Sequence, residues 1–386
     1  MLATGLRDHI AKQSNLSTWR SMRGLVASWF AVVIAIWALA WAIGMFSMPY
    51  RVGLNFPRSP IEVLSTWDGT HYSNIARNGY STDGAAVRRF GFFPLFPAIS
   101  RLLGGAEHAV LAGILLNQLC LLFNILLIGR LVEDGRPTQL SREPGFWVLV
   151  GPVGFFLSVY YAESLFLLFS LLLVIAYKHN RIAWACLAGF LAGLTRPTAV
   201  CLPVLFLPDL IGRVRRGESW IHTLACTAAP LAGIGFYVAY IARRTGDPLA
   251  YVHLRQTWWH TDWTLPFQPL LADLRMFPIS LMAGNMPPPD QWVRLASSIC
   301  ILALIAWGWR KIDSIFLTYL VTAMLFIHSQ EPHSGTVRWE LVLFPVYLLL
   351  WRLMAGRSKL AWTLASLSIL TQGFYFYRYA TWLWVA

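Results

Sequence analysis

The chain has 386 residues, of which 57% are hydrophobic and only 13% charged, and its mean hydropathy is +0.54. An ordinary soluble domain holds roughly 45–50% apolar and about 25% charged residues, so a soluble enzyme and an intrinsically disordered chain are both excluded, and a polytopic helical membrane protein remains. Lys and Arg number 31 against 18 Asp and Glu, a formal charge of +13. The basic residues are scattered through short interhelical segments with no nucleic-acid motif beside them, so topology and lipid phosphate account for them better than nucleic acid does.

Residues 1–23 are polar and basic and read as a cytoplasmic N-terminus, with Arg7, Lys12, Arg20 and Arg23. Leu25 to Phe46 is about one bilayer of apolar helix. It is too long for the apolar region of a signal peptide and reads as an uncleaved first span. Residues 49–108 form a long, mostly non-spanning loop. Further apolar runs lie at 109–132, 146–158, 162–178, 182–194, 198–211, 219–241, 293–309, 314–328, 337–351 and 359–377. The breaks at Gly151-Pro152 and Arg196-Pro197 let the pairs 146–158/162–178 and 182–194/198–211 be hairpins or broken helices. A second long loop, 242–292, carries Trp258, Trp259, Trp263 and Pro287-Pro288-Pro289, and its aromatics suit the membrane interface.

With each run counted as a pass, short-segment basic residues (Arg136, Arg142, Lys178, Arg181, Arg213, Arg215, Arg216, Arg310, Lys311, Arg352, Arg357 and Lys359 among them) give about eleven passes. The N-terminus is then inside, the C-terminus outside, and both long loops face outward. Residues 1–386 read as one all-α membrane domain, with no internal repeat and no appended soluble unit. The five cysteines (Cys120, Cys186, Cys201, Cys226, Cys300) sit in apolar runs without CxxC or zinc-like spacing, so neither a disulfide framework nor a metal site is expected.

Five stretches can carry chemistry. In the first, Ile61, Leu64, Trp67, His71 and Ile75 recur at helical spacing and predict an amphipathic helix in the outer interface. Asp68, His71 and Tyr72 then project from one side. A carboxylate there, with an imidazole one turn away, can take a proton from a substrate hydroxyl; the alternative is a helix with polar residues facing solvent. In the second, Phe90 to Pro97 is aromatic and twice broken by proline, which predicts a re-entrant or interfacial segment. Arg88 and Arg89 before it can meet a phosphate or anchor the chain at the interface. The third is Tyr160 to Phe166, where Glu163 lies between two apolar runs and is either functional or a helix-capping loop residue. The fourth and fifth put Arg196 and Arg338 at outer ends of spans, where a guanidinium can pair with a lipid phosphate or simply snorkel. His333 accompanies Arg338 and Glu340. Asp68, Glu163, Arg196 and Arg338 all fall on the outer side, a layout that suits transfer from a phosphate-linked lipid rather than an ion path through the bilayer.

These residues carry a resemblance. Trp67-Asp68-Gly69-Thr70-His71-Tyr72, Ile75-Ala76 and Gly79-Tyr80 resemble the Trp-Asp…His-Phe…Ile-Ala…Gly-Tyr signature of the PIG-V family. Phe92-Phe93-Pro94-Leu95-Phe96-Pro97 is similar to its Phe-Phe-Pro-x-x-Pro, Tyr161-Ala162-Glu163-Ser164-Leu165-Phe166 to its Tyr-Ser-Glu-Ser-Leu-Phe, and Thr195-Arg196 to its Thr-Arg-Ser-Asn, with Pro197-Thr198 replacing Ser-Asn. Val337-Arg338-Trp339 is similar to its late Arg-aromatic element. The elements keep their order across residues 65 to 339, and the loop 242–292 lies outside them.

That family is the second mannosyltransferase of GPI-anchor assembly, with prokaryotic relatives. The resemblance implies a GT-C glycosyltransferase bundle that uses a polyprenyl-phosphate mannose donor and has its catalytic Asp in the first long outer loop, which Asp68 matches. Inverting transfer to a hydroxyl of a glycolipid, envelope glycan or protein follows. In that scheme Arg196 and Arg338, with Arg88 and Arg89, hold the donor phosphate, while His71, Tyr72, Glu163 and His333 bind the acceptor or orient Asp68. No Asp-x-Asp pair lies near Asp68, so no obligatory metal or cofactor is expected; the alternative is a metal held by Glu163 and Asp68. Compactness favours a prokaryotic plasma membrane with an outward-facing site; in a eukaryote the membrane would be that of the endoplasmic reticulum. The competing class is a lipid transporter or flippase, which needs no general base and more often carries inverted repeats and polar residues at the bilayer midplane.

Overall fold

The computed structural model describes residues 2–51, 53–132, 140, 143–331 and 335–385, with the side chains of 2–20 outside that description. Arg136, Arg142 and His333 therefore lie outside the described residues. The chain is mainly helical. In order come α1 (Leu2–Phe46), α2 (Pro60–Val63), α3 (Asp68–Asn78), a 3-10 turn (Gly84–Gly91), α4 (Leu95–Gly104), α5 (Ala109–Ile128), α6 (Pro144–Val150), α7 (Glu163–Lys178) and α8 (Ile182–Gly193). A second long 3-10 segment (Pro197–Leu205) leads into α9 (Leu207–Arg216) and α10 (Ile221–Thr245). The second long loop holds α11 (Ala250–Trp259), β1 (Asp262–Trp263) and α12 (Gln268–Met282). Then follow α13 (Pro289–Gly308), α14 (Ser314–Ile327), β2 (Gln330–Glu331), α15 (Thr336–Leu341), α16 (Phe344–Met354) and α17 (Ser358–Ala380).

Among the described residues, five helical segments are long and apolar enough to cross a membrane: 21–46, 109–131, 197–216, 221–245 and 289–308. Their outer faces are apolar too. On α5, Leu115, Leu119 and Phe123 fall one turn apart and are about half exposed, whereas Ile114, Leu121 and Ile125 are buried. A stripe of that kind is stable facing lipid, and the protein is an integral membrane protein.

The helix ends sort into two groups. At one end, the close of α1 meets the close of α17: Tyr50 N–H donates to the Thr381 carbonyl at 2.9 Å, and Arg58 donates to Ala380 at 2.6 Å. The start of α4 joins the end of α8 through Leu95 N–H to Leu194 O at 3.1 Å. At the opposite end, Asp209 ties α7, α9 and α10 together. It accepts from the Tyr177 hydroxyl, from Arg213 Nε at 2.8 Å and from Thr223 at 3.3 Å. The α8–α10 crossing is glycine-lined: a Cβ on Gly193 would lie 2.1 Å from the Pro230 carbonyl oxygen, and one on Gly233 would lie 2.1 Å from that of Phe190. Small residues let these two helices approach backbone to backbone.

Three sequence expectations change and one is resolved. The helix expected across Ile61–Ile75 is broken at residues 64–67. The run 146–158, left open as part of a hairpin or of a broken helix, is one short helix followed by a 3-10 turn. The run 198–211 begins as a 3-10 segment, because Pro197 and Pro203 cannot supply helical N–H donors. The run 337–351 divides at Val342–Leu343, just before Pro345.

Candidate active site

The break at 64–67 sets the site. Ser65 and Thr66 turn their hydroxyls back onto the carbonyls of Ile61 and Val63, which closes α2. The next backbone groups are taken by distant residues. Leu64 O accepts from Tyr160 N–H at 2.9 Å and from the Tyr379 hydroxyl at 3.2 Å. Asp68 N–H donates to the Tyr161 hydroxyl oxygen at 3.1 Å, and that hydroxyl donates to Thr66 O at 3.3 Å. Between them Trp67 sits at φ 54°, ψ −121°, a conformation natural to glycine. For a tryptophan it costs on the order of 1–3 kcal/mol, held by the surrounding bonds. α3 then starts at Asp68 itself, so the carboxylate stands at the mouth of a turn and not midway along a helix.

Glu163 is placed by a different device. Residues 158–162 are irregular backbone inside the bundle, where unpaired polar groups are costly. Two amides on α5 meet carbonyls of this stretch, and a third meets the first turn of α7. Asn117 donates to the Val159 and Tyr161 carbonyls at 2.6 and 2.7 Å, Gln118 to Ser158 at 3.0 Å, and Asn124 to Ser164 at 2.9 Å. Glu163 opens α7, where a carboxylate is favoured by the helix dipole, and it is almost fully buried. Arg196 lies in extended backbone between α8 and the Pro-rich 3-10 segment and forms an ion pair with Glu163. α15 is anchored by the buried Glu340 carboxylate, which accepts from Ser297 at 2.5 Å and Ser298 at 2.7 Å and lies 3.1 Å from His328 Nε2. Two residues earlier, Arg338 reaches into the site.

Asp68, Glu163, Arg196 and Arg338, with His71, Tyr72 and Arg88, line one cavity of about 520 Å³. Arg338 Nη1 donates to Asp68 Oδ2 at 2.7 Å and lies 3.8 Å from Glu163 Oε1. One guanidinium thus bridges two carboxylates. Burial pushes the Asp68 carboxyl up, but Arg338, with Arg196 and, in the acid range where it is protonated, His71, outweighs that and holds it below the usual carboxylate range. Burial, reinforced by Arg88, Arg89 and Arg51, pulls His71 down against the attraction of Asp68, so the imidazole is neutral near pH 7. Its ring stacks on Phe92 with centroids 4.7 Å apart.

Tyr72 and Arg89 are placed differently from their neighbours. Tyr72 lines the cavity and is otherwise buried among Phe92, Phe96 and Tyr161, because α3 packs its 69/72/75/76 stripe inward. Arg89 is not part of the cavity wall, whereas Arg88 reaches the rim over the Trp258 ring at 5.8 Å.

Arg51, Arg255, Trp382 and Trp384, which the sequence did not single out, and Trp259, expected only as an interfacial aromatic, are all on the cavity wall. Arg255 and Arg196 approach the Trp339 ring at 5.4 and 5.9 Å, and Arg51 approaches Trp382 at 4.5 Å. The second long loop is therefore a wall of the site as well as an interfacial cover. Trp259 packs so close to Gly91 that a Cβ there would lie 2.7 Å from the indole. Among the described residues, no group of three His, Cys, Asp or Glu is placed to hold a metal ion.

No model of a known protein family matches this sequence, and no curated protein matches it. Among solved structures, the chain is similar to the Archaeoglobus fulgidus oligosaccharyltransferase, crystallised with zinc and sulfate, at 10% identity and a TM-score of 0.43. The match covers 92% of this chain and 53% of that one, so the chain spans about half of that protein's length. A likeness at this level does not establish a shared fold.

Proposed function

We propose that this protein is an inverting GT-C-type mannosyltransferase of the PIG-V kind, moving a mannosyl residue from a polyprenyl-phosphate donor to an acceptor hydroxyl, with Asp68 as general base. The observation that carries the reading is the convergence of Asp68, Glu163, Arg196 and Arg338, drawn from four distant stretches, on one cavity. The sorting of helix ends supports about eleven passes. Lys178, Arg181, Arg213, Arg215, Arg216, Arg310 and Lys311 follow helix ends opposite the cavity, which supports a cytoplasmic far end and an outward-facing site.

The step is a displacement at the anomeric carbon. The acceptor oxygen forms the new C1–O bond as its proton passes to an Asp68 oxygen. The bond from C1 to the phosphate oxygen breaks on the opposite face, and the phosphate leaves with the electron pair. Asp68 loses its negative charge in the same event that gives the phosphate one more. Arg338, paired with Asp68 in the empty site, is free to follow that charge, and Arg196 and Arg255 line the same cavity. The total charge in the cavity does not change. Glu163 keeps Arg196 aligned, and neutral His71 is suited to hydrogen-bonding the acceptor or Asp68.

The test uses purified protein in nanodiscs, radiolabelled polyprenyl-phosphate mannose and a membrane lipid extract. Wild type transfers label, and folded Asp68→Asn falls by about 10²–10⁴-fold. Equal transfer by both would remove Asp68 from the chemistry. A transporter would tolerate the asparagine and release unmodified lipid.

A further inference from the structure

The end of α7 opposite Glu163 carries a groove that the transfer scheme does not use. Leu172, Ile175, Ala176 and His179 recur at three- and four-residue steps, so they share one face of α7 and its cap. A tight turn then sends the chain back into α8. His179 N–H donates to Ile175 O at 3.1 Å, Asn180 N–H to Tyr177 O at 2.9 Å and Arg181 N–H to Ala176 O at 2.8 Å. That hairpin brings Arg181 and Trp184, three residues apart, alongside the α7 face. Together the six side chains line an open groove of about 470 Å³.

The groove is divided by chemistry along its length. Leu172 and Ile175 lie toward the middle of α7, while His179 and Arg181 stand at its end, about 10 Å beyond Leu172. Trp184 is 67% exposed and forms an apolar edge. No carboxylate is among the lining residues. At the same end of the molecule, Arg213 is paired with Asp209 and Arg216 with Glu218, and Lys178 is turned to the Phe316 ring at 5.3 Å. Arg181 has no ion-pair partner among the described residues. A belt tryptophan and a snorkelling arginine each stand singly on a surface and need no recess. Here both edge one recess, with its apolar part toward the bilayer interior and its positive charge at the membrane edge.

That partition matches one class of molecule in the surrounding medium. We propose that the α7–α8 groove binds an anionic phospholipid, with an acyl chain along Leu172, Ile175 and Trp184 and the phosphate headgroup on Arg181 and His179. Basic recesses between membrane helices take lipids of this kind, because the guanidinium supplies a charge-assisted bond that a zwitterionic headgroup offsets with its own cation. The groove shares no residue with the cavity around Asp68 and lies about 24 Å along α7 from Glu163, so the inference stands independently of the transfer reading.

The experiment uses full-length protein in detergent, with dioleoyl phosphatidylglycerol and dioleoyl phosphatidylcholine as equimolar probes and retained lipid read by native mass spectrometry. Wild type retains the glycerol lipid in preference. Arg181→Gln, at an exposed residue, keeps its thermal midpoint and loses about fivefold of that preference. Ala176→Phe fills the groove with no change of charge and lowers retention of the anionic lipid. Arg215→Gln, an exposed basic residue at the same end but outside the groove, leaves retention unchanged. A photoactivatable phosphatidylglycerol labels peptides within residues 172–184. Equal retention of the two lipids by wild type, an equal loss in Arg215→Gln and Arg181→Gln, or label confined to other helices overturns the site. Binding of glycerol 3-phosphate as tight as that of the lipid would make it a free-phosphate site and overturn the lipid assignment. A wild-type dimer that Ala176→Phe converts to monomer, with lipid retention unchanged, would make the groove a contact between copies and overturn it as well.

Discussion

Arg338 lies 270 residues from Asp68 in sequence, yet its Nη1 stands 2.7 Å from the Asp68 carboxylate, as close as a charge-assisted hydrogen bond allows. The pairing makes Asp68 a weak base at rest, since the guanidinium stabilises the form that has no proton. On the proposed function, the base would become stronger when the donor phosphate draws Arg338 away, which would link donor loading to readiness of the base through one side chain.

The first prediction follows from that link. In wild type the working form of Asp68 is ionised, and its depressed pKa keeps it ionised into acid, so transfer persists as pH falls. In Arg338→Gln the upward push of burial is opposed only by His71 and Arg196, so the pKa rises. The acid limb of the kcat/KM profile should move to higher pH by about 1–3 pH units, with a lower plateau from the lost phosphate contact. A plateau that drops while the limb stays put would show that Arg338 does not tune Asp68.

Glu163 and Arg196 form a buried pair whose members need each other. Glu163→Gln leaves the Arg196 charge uncompensated and should destabilise the protein by about 3–5 kcal/mol. Arg196→Met alone should cost a similar amount by stranding Glu163. The double variant should recover much of the loss and still transfer poorly. Thermal midpoints of the four proteins read the coupling, and additive losses would contradict it.

Asn117 is a structural prediction with a functional readout. Asn117→Leu fits the apolar helix but removes both bonds to the backbone before Glu163. Each unmet buried carbonyl costs about 1–3 kcal/mol. The thermal midpoint should fall, and donor KM should rise because the Glu163–Arg196 pair is displaced. A surface control such as Leu119→Ala on the lipid-facing side of the same helix should leave KM unchanged.

The five long spans were readable because a bilayer demands about twenty apolar residues, a signal that needs no tertiary context. Glu163, Arg196 and Arg338 were readable because an ionisable group at the edge of an apolar run stands out, and Asp68 because it follows helical spacing in the first long loop. What stayed hidden depended on contacts across the chain. The apolar spacing of Ile61 to Ile75 runs unbroken through the turn at 64–67, and only Tyr160, Tyr161 and Tyr379 claim the backbone there. Nothing in the local pattern around Trp382, Trp384 or Arg255 tells that the fold brings them to the cavity wall. A clue was present on α5, where Asn117, Gln118 and Asn124 interrupt an apolar helix on one side. Amides inside a span imply irregular backbone opposite them.

Glu340 offers a last prediction, about how Arg338 is aimed. α15 has only six residues, too few to hold a direction by itself, and it is fixed through Glu340 to Ser297, Ser298 and His328. Arg338 follows two residues behind, so a shift in α15 moves the guanidinium off Asp68. Glu340→Ala should lower the thermal midpoint and kcat together, and should also carry the acid limb of the pH profile upward, in the direction expected for Arg338→Gln. Glu340→Gln keeps the shape and one acceptor and should restore much of both. The pH limb separates aiming from general loosening. A destabilised protein whose limb does not move would make Glu340 a packing anchor with no influence on the base.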